Sequence, residues 1–242
     1  MNNHKVRLDQ LVLQKELVIS RSQAENQIKL GNVTVNGLVV KRAGTLVWPD
    51  ADIVLTAKEQ YVSRAGLKLA SVAQILDVPF QDKTVLDVGS STGGFTEYVL
   101  RHGAKKVIAV ELGSNQLHPS LHNDPRIELH EQTDIRNFST TSQIDVVVAD
   151  VSFVSLRDIL PSVAKLCSKK SQIIAMVKPQ FEAKQSNLTH RGVIKNEKVR
   201  REILKDFESW ARSQFVIINK ADSDIAGAKG NRERFYLLKK ST

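Results

Sequence analysis

The sequence of 242 residues has one cysteine, Cys167, and only 5% of its residues are aromatic. A single thiol cannot form an internal disulfide or a thiolate metal site, so we expect a reducing compartment and a cytoplasmic protein. No run approaches the roughly 20 apolar residues of a membrane helix, and the polar first residues lack the apolar core of a signal peptide. The low aromatic content disfavours a surface that binds single strands mainly by base stacking.

Positive charge is in excess, with 35 Lys and Arg residues against 26 Asp and Glu and a formal net charge of +9. This excess favours a polyanionic partner such as nucleic acid, because Lys and Arg displace counterions from phosphates. The alternative is a basic surface that serves solubility alone. The apolar fraction of 41% is ordinary for a globular protein, so we expect a hydrophobic core without disulfide bonds.

The first segment, residues 5–57, is predicted to form a small α/β module that begins with two helices. Leucine, isoleucine, valine and alanine recur there at helical spacing in two separate stretches. Ser20 or Ser22 is expected to cap the second helix, because a serine hydroxyl can accept a hydrogen bond from a free amide of the first turn. Gly31 is expected to end that helix in a left-handed conformation.

A β-hairpin is predicted to follow these helices. Alternating apolar residues flank the pair Asn36-Gly37, and both residues of this pair tolerate the positive φ angles of a tight turn. A further strand near residues 52–55 would complete the module. We expect the module to end at residue 57 and a polar connector to occupy residues 58–66.

The remaining residues, 67–242, alternate strand-like apolar runs with helical patterns. Alternation of this kind predicts a doubly wound, Rossmann-like α/β fold, in which helices cover both faces of a mainly parallel sheet. The last two runs are too close together for a crossover helix, so the final strand is expected to return antiparallel. The predicted strands are residues 84–88, 106–110, 127–129, 144–149, 172–177, 215–219 and 234–238.

A glycine-rich turn follows the first of these strands, and a helix begins near Phe95. Ligands of doubly wound sheets bind beyond the carboxyl ends of the strands, and glycine lets the backbone approach a ligand closely. About twenty residues later the next strand ends in Glu111, whose carboxylate can accept two hydrogen bonds from a ribose diol. The turn and the spaced acid predict a nucleoside cofactor. The candidate cofactor residues here are Asp87, Gly89, Ser90, Ser91, Thr92, Gly93, Gly94, Phe95 and Glu111.

Two other classes of enzyme also have a glycine-rich turn between a strand and a helix. A nicotinamide site is disfavoured, because the glycine spacing differs and Asp87 would repel a pyrophosphate; an acid there suits a cofactor with positive charge. Residues 89–93 also match the Gly-x-Ser-x-Gly turn that carries the nucleophile of α/β-hydrolases. A hydrolase needs an acid and then a histidine downstream, and the last histidine, His190, lies in a polar stretch.

Two later strands end in charged residues. Asp150 follows one apolar run and Lys178 follows the next, so in a parallel sheet both would face the crevice of the glycine turn. Charged groups at adjacent strand ends can pair and change each other's protonation. The alternative is a structural ion pair, or a solvated lysine, at the rim of the sheet.

The chain resembles a known family through several motifs in order. Residues 86–96 resemble the cofactor motif of the FtsJ-like ribose 2′-O-methyltransferases, residues 62–69 their opening helix, and residues 150–153, 177–182 and 230–235 their later motifs. The first segment is similar to an S4 RNA-binding domain. An S4 domain followed by this methyltransferase is the arrangement of the TlyA family, often labelled haemolysin A.

This resemblance implies S-adenosylmethionine as cofactor and a catalytic tetrad formed by Lys68, Asp150, Lys178 and Glu233. Asp150 is also expected at the cofactor, and Asp134 stands where the family often has asparagine near the adenine. The resemblance further implies methylation of a ribose 2′-hydroxyl of cytidine in 16S or 23S rRNA. Lys178 is assigned as the base that removes the hydroxyl proton, a step that needs no metal.

Basic residues of the first segment are expected to bind ribosomal RNA or ribosomal subunits through phosphates, with the chain acting as a monomer. The residues expected to bind RNA are Lys5, Arg7, Arg21, Lys29, Lys41, Arg42 and Arg191. A second basic cluster at residues 191–201 is expected to hold RNA across the catalytic mouth. Two alternatives stay open: a membrane-active haemolysin-type protein, and an RNA-binding protein with an inactive methyltransferase fold.

Overall fold

The structure is a computed structural model that describes residues 4–18, 20–56, 61–183, 192–227 and 230–241. The chain divides into two compact units, Met1–Arg64 and Ala65–Thr242. The predicted connector, residues 58–66, spans this division, and its residues 58–60 lie outside the described part of the chain.

The first unit packs two helices against short antiparallel strands. Strand β2 pairs with β3 on one side and with β5 on the other, and β1 pairs with β4. The core of the unit includes Leu8, Ile28 and Val33, which are fully buried. The elements are β1 (Val6–Arg7), α1 (Leu8–Gln14), α2 (Arg21–Leu30), β2 (Val33–Val35), β3 (Leu38–Val39), β4 (Leu46–Val47) and β5 (Ile53–Leu55).

Local sequence signals account for the bounds of α2 and of the hairpin. The Ser20 hydroxyl accepts a hydrogen bond from the backbone amide of Gln23 at 3.2 Å, so Ser20 is the cap of α2. Gly31 ends the helix with φ of +80°. Asn36 and Gly37 have φ of +49° and +80°, which gives the predicted tight turn between β2 and β3. The pair formed by β1 and β4 was not predicted, because strands of two residues carry no periodic signal.

The second unit is a seven-stranded sheet with the order β11-β12-β10-β9-β6-β7-β8. The five strands from β10 to β8 are parallel, and β12 pairs antiparallel with both β10 and β11. The doubly wound fold and the antiparallel return are therefore confirmed. The elements are α3 (Arg64–Leu76), β6 (Thr84–Val88), α4 (Gly94–Arg101), β7 (Lys106–Val110), β8 (Ile127–His130), β9 (Ile144–Ala149), α5 (Leu156–Leu166), β10 (Cys167–Val177), α6 (Pro179–Glu182), α7 (Glu197–Ala211), β11 (Phe215–Asp222) and β12 (Arg234–Lys240).

Helices cover both faces of this sheet, as two successive residues of β12 show. Phe235 packs against Phe95 of α4, with ring centroids 6.0 Å apart. Its neighbour Tyr236 points to the opposite face and packs against Phe207 of α7 at 5.3 Å. Every residue of β6 is buried, as expected for a central strand that is covered on both sides. Among the described residues, no helix is both long and apolar enough to cross a bilayer.

Candidate active site

The strand order reverses beside β6, and a cavity of the second unit opens there. Strand β6 pairs with β7 on one side and with β9 on the other, so the chain winds away from β6 in both directions. A cavity of about 640 Å³ lies at the carboxyl ends of these strands, and residues that follow β6, β7 and β9 line it. Its position and volume are those of a small-molecule site in this class of fold.

Two glycines shape the turn between β6 and α4. Gly89 has φ of +79°, and a Cβ atom on it would lie 2.7 Å from the backbone oxygen of Asp150. Gly93 has φ of +88°, and a Cβ atom there would lie 2.5 Å from a methyl group of Leu121. A side chain at either position would therefore meet both backbone strain and a steric clash. The clash at Gly89 is with backbone, whereas the clash at Gly93 is with the ends of leucine side chains, so Gly89 is the more restricted of the two.

The predicted cofactor residues fall into two groups. Five of them line the cavity: Gly89, Ser91, Glu111, Asp134 and Asp150. The others surround the turn without lining the cavity, and they are Asp87, Ser90, Thr92, Gly93, Gly94 and Phe95. Phe95 instead anchors α4 in the core, and Thr92 is exposed.

Asp87 is a buried carboxylate with an unpaired oxygen. Thr96 donates a hydrogen bond to its Oδ2 at 2.6 Å, whereas Oδ1 has no partner among the described residues. Burial, together with the nearby charges of Asp150 and Glu111, raises the pKa of Asp87 to about 7. The hydroxyl of Ser90 is also buried without a partner in this part of the chain. Orphaned polar atoms beside a glycine turn fit a polar ligand, and an acid fits one with positive charge.

Glu111 and Asp134 are fixed at the wall of the cavity by backbone amides. Glu111 accepts hydrogen bonds from the amides of Ser91 at 2.9 Å and Gly113 at 2.7 Å. Asp134 accepts from the amide of Arg136 at 2.9 Å and also from its guanidinium, which holds the pKa of Asp134 below its usual range. Each oxygen of Glu111 accepts one of these bonds and keeps a lone pair for a hydroxyl donor, whereas both oxygens of Asp134 already accept two bonds from Arg136.

Lysine–carboxylate pairs form at two points of the same unit. Nζ of Lys178 lies 2.6 Å from Oδ1 of Asp150. Nζ of Lys68 donates a hydrogen bond to Oε1 of Glu233 at 3.0 Å, and these two residues are only 7% and 2% exposed. The four residues of the predicted tetrad therefore form two ion pairs, and the second of them is almost fully buried.

Strand register places both ion pairs at the same end of the sheet, where the parallel strands have their carboxyl ends. Val177 pairs with Arg234 across β10 and β12, so Lys178 and Glu233 each lie one residue beyond that pair on the same side. Ala149 pairs with Ala175, which puts Asp150 at this end as well. Lys68 reaches this end from α3 through Glu233. The two pairs, whose members come from residues 68 to 233, thus lie at the carboxyl ends of the parallel strands.

Comparison with known proteins agrees with this geometry. Residues 61–240 match the FtsJ-like methyltransferase family and residues 6–53 match the S4 domain. The chain belongs to the FtsJ-like methyltransferase family. A 23S rRNA (cytidine-2′-O)-methyltransferase TlyA of Campylobacter jejuni is 36% identical over 92% of this chain and 95% of its own. A 16S/23S rRNA (cytidine-2′-O)-methyltransferase TlyA of Mycobacterium tuberculosis is 32% identical over 98% and 91%.

A solved structure also matches. A putative hemolysin from Streptococcus thermophilus is 33% identical, covers 98% of this chain and 89% of its own, and superimposes with a TM-score of 0.75. The hydrolase alternative has no support in this FtsJ-like site. Ser91 would be its nucleophile, but the Ser91 hydroxyl donates to Oε1 of Gln116 at 3.0 Å and not to a histidine.

The structure adds two polar residues of the FtsJ-like site that the sequence analysis did not assign. Nζ of Lys178 donates to the hydroxyl of Ser152 at 2.7 Å, and Ser152 lines the cavity. Glu182, which is 1% exposed, accepts hydrogen bonds from the Ser155 hydroxyl at 2.6 Å and the Leu156 amide at 2.8 Å. Both residues lie inside motifs that were recognised, but their contacts depend on tertiary structure.

The basic residues of the first unit differ in how freely their charges face solvent. Arg7 and Arg21 both bind the buried carboxylate of Asp9, each at 2.9 Å, and this contact lowers the pKa of Asp9. Lys29 lies 3.8 Å from Glu25. The remaining predicted residues are exposed and have no ion pair within the described ranges, and they are Lys5, Lys41 and Arg42. Arg191 lies outside the described residues.

The prediction that the second basic cluster lies on the surface is wrong for one of its residues. Arg200 is 3% exposed, and its guanidinium binds Asp222 and the backbone oxygen of Arg232. Arg200 therefore holds α7 against β11 and the segment before β12, and its charge is not on the surface. The helical spacing of the cluster did not reveal this, because one face of an amphipathic helix points to the core. The exposed members are Lys195, Lys198 and Arg201.

Proposed function

We propose that this chain transfers a methyl group from S-adenosylmethionine to the 2′-hydroxyl of a cytidine ribose in 16S or 23S rRNA. One observation carries the proposal: the Lys178–Asp150 and Lys68–Glu233 pairs lie together at the sheet edge that bears the glycine turn. The choice of cytidine and of rRNA is supported by the names of two relatives, each more than 30% identical over nearly the whole chain.

The residues that line the cavity, together with Asp87 beside the glycine turn, fit S-adenosylmethionine. Glu111, fixed at the end of β7, suits the ribose diol, and Asp134 suits the amino group of the adenine. The unpaired, buried oxygen of Asp87 suits the ammonium of the methionine tail. When bound, this cofactor supplies a methyl carbon that its sulfonium has already activated.

The contribution of the chain itself is to orient the acceptor hydroxyl and to take its proton. We assign the proton to Nζ of Lys178, which acts in its neutral form as general base. Asp150, at 2.6 Å, holds this amine in place. The buried Lys68–Glu233 pair lies at the same end of the strands and joins α3 to the segment that enters β12. Positioning of this kind supplies a large share of the rate of a displacement reaction.

Substrate affinity is assigned to the first unit. We propose that residues 1–57 are the RNA-recognition domain and that residues 67–242 carry catalysis. Residues 6–53 match the S4 domain, and the exposed charges of Lys5, Lys41 and Arg42 suit phosphate contacts.

The experiment is incubation of the protein with radiolabelled S-adenosylmethionine and purified small or large ribosomal subunits. Label in rRNA supports the proposal. Cofactor binding without transfer to any subunit would favour an inactive RNA-binding protein. Sedimentation with liposomes in the absence of transfer would favour the membrane-active alternative, for which an apolar anchor is needed.

A further inference from the structure

We propose that Ser152 is a positioning residue that orients the amine of Lys178 toward the acceptor hydroxyl; this inference rests on the proposed function. Its hydroxyl lies 2.7 Å from Nζ of Lys178, on the loop that joins β9 to α5. Ser152 also lines the cavity, so the contact is made where the acceptor and the methyl donor must meet.

The chemistry of a neutral amine gives this contact its meaning. An amine that accepts a proton has two N–H bonds and one lone pair, and it rotates about the Cε–Nζ bond unless an acceptor holds one of its N–H bonds. Nζ of Lys178 donates a hydrogen bond to Oγ of Ser152 at 2.7 Å, whereas Oδ1 of Asp150, 2.6 Å away, is an ion-pair contact without hydrogen-bond geometry. With one N–H directed to Ser152, rotation about the Cε–Nζ bond is fixed, and the lone pair is restricted to the remaining staggered positions. The Asp150 contact does not fix this rotation by itself.

The loop that bears Ser152 is fixed at both ends. At its start, the Asp150 amide donates to the Val88 oxygen at 3.0 Å. At its end, the Ser155 hydroxyl and the Leu156 amide donate to the buried carboxylate of Glu182, which belongs to α6 directly after Lys178. The loop that carries Asp150 and Ser152 is thereby attached to the segment that carries the amine.

Backbone conformation within the loop supports the same conclusion. Phe153, next to Ser152, has φ of +69°, which is unfavourable for a side chain of this size. Its ring lies 5.5 Å from that of Phe181 and is 90% exposed, so burial of the ring does not compensate the strain. Strained conformations persist where the surrounding contacts impose them. The strained residue directly follows Ser152, whose hydroxyl contacts Lys178.

The test compares three variants of the full-length protein. Ser152→Ala removes the acceptor, and Ser152→Thr keeps it. The matched control is Ser142→Ala, because the Ser142 hydroxyl also accepts from a lysine, Nζ of Lys106 at 3.4 Å. Lys106 is the first residue of β7, so this second pair lies at the amino ends of the parallel strands, away from the cavity.

We expect Ser152→Ala to lower kcat about 3- to 10-fold, the scale of one hydrogen bond between neutral groups, with KM for cofactor and RNA changed less than about twofold. Ser152→Thr should restore most of kcat, and Ser142→Ala should match the unmodified protein. A normal kcat for Ser152→Ala, or an equal loss in Ser152→Thr, would overturn the proposal.

A second readout does not depend on turnover. The ¹⁵N–¹H signal of the Lys178 side chain, identified by its loss in Lys178→Met, should be slowed in hydrogen exchange in the unmodified protein and fast in Ser152→Ala. Equal exchange in both would overturn the proposal. If the unmodified protein transfers no methyl group to rRNA, the proposed function fails, whereas an active protein with an unaffected Ser152→Ala variant refutes the role of Ser152 alone.

Discussion

Lys68 and Glu233 are 165 residues apart in the sequence, and their side chains meet at 3.0 Å in a nearly solvent-free position. Glu233 would otherwise be taken for a solvated acid of a charge-rich stretch. Its backbone is held on both sides: the Ser223 amide donates to the Glu233 oxygen at 3.0 Å, and Arg200 donates to the Arg232 oxygen at 3.0 Å. This pair lies at the carboxyl ends of the strands, where we propose that methyl transfer takes place.

Removal of one partner of this pair should destabilise the protein. Glu233→Leu leaves the ammonium of Lys68 buried without a counter-charge, so we expect the free energy of unfolding to fall by about 3–5 kcal/mol. The double variant Lys68→Met/Glu233→Leu buries no charge and should recover most of this loss, yet methyl transfer should stay absent. Urea titration gives the stability and labelled transfer gives the activity. Normal transfer by the double variant would show that the pair is purely structural.

A methyl group at Gly89 should disturb the cofactor turn. Gly89→Ala places a Cβ atom 2.7 Å from the Asp150 oxygen, in backbone that must move away. We expect the affinity for S-adenosylmethionine, measured by calorimetry, to fall at least about tenfold, equivalent to ~1.4 kcal/mol. Gly37→Ala is the control, because Gly37 has a similar φ of +80° and no atom within 4 Å. It should cost about 1 kcal/mol of stability and leave cofactor affinity unchanged; equal affinity in both variants would contradict the assignment.

Cofactor affinity should depend on pH through Asp87. The pKa of this buried acid is raised to about 7, so the carboxylate is largely neutral below that pH and cannot pair with an ammonium. We expect binding to weaken as pH falls from about 7.5 to about 6, and Asp87→Asn to bind weakly at both values. In calorimetry, an unchanged pH dependence in Asp87→Asn would rule out Asp87 as its source.

The raised pKa of Asp87 also predicts how the stability of the protein depends on pH. A carboxyl group whose pKa is higher in the folded state stabilises the fold below its unfolded value near 4, and this contribution is lost as pH rises through about 7. The ligand-free protein should therefore lose stability over that interval, and Asp87→Asn should lose less. Denaturant unfolding at several pH values measures the difference. A parallel decline in both proteins would assign the effect to another group.

RNA affinity should depend on exposed charge in the first unit. Lys41→Gln/Arg42→Gln removes two charges that have no ion pair among the described residues, so RNA binding should weaken while cofactor affinity stays the same. The slope of log K against log salt should decrease by about 0.7–0.9 for each phosphate that the variant no longer neutralises. Lys169→Gln/Lys170→Gln, two exposed lysines of β10, is the control. Equal salt slopes for both double variants would exclude Lys41 and Arg42 from the interface.

Much of the fold could be predicted from the sequence, because its signals are local. The Asn36-Gly37 turn, the Ser20 cap and the apolar strand β6 each follow from a few neighbouring residues. Strand ends were less predictable: β11 continues to Asp222, three residues beyond the predicted run, since edge pairing with β12 extends a polar stretch. The positions of Asp150 and Lys178 at one edge also followed from strand order alone.

Contacts that depend on tertiary packing could not be predicted. Arg200 has the sequence context of a surface helix, and only the position of α7 against β11 shows that it is buried. Glu182 has the sequence context of a helix end, yet it caps a different helix, α5, from 26 residues away. Ser152 became a candidate only when its distance to Lys178 was known.

The most direct test of the central claim is the identity of the methylated nucleoside. Ribosomal subunits labelled by the protein are digested to nucleosides and analysed by mass spectrometry, with Lys178→Ala as the matched variant. We predict 2′-O-methylcytidine with the unmodified protein, and a loss of about 10²–10⁴-fold in Lys178→Ala, with unchanged cofactor binding. A methyl group on a base instead of the ribose, or near-normal 2′-O-methylation by Lys178→Ala, would contradict the account.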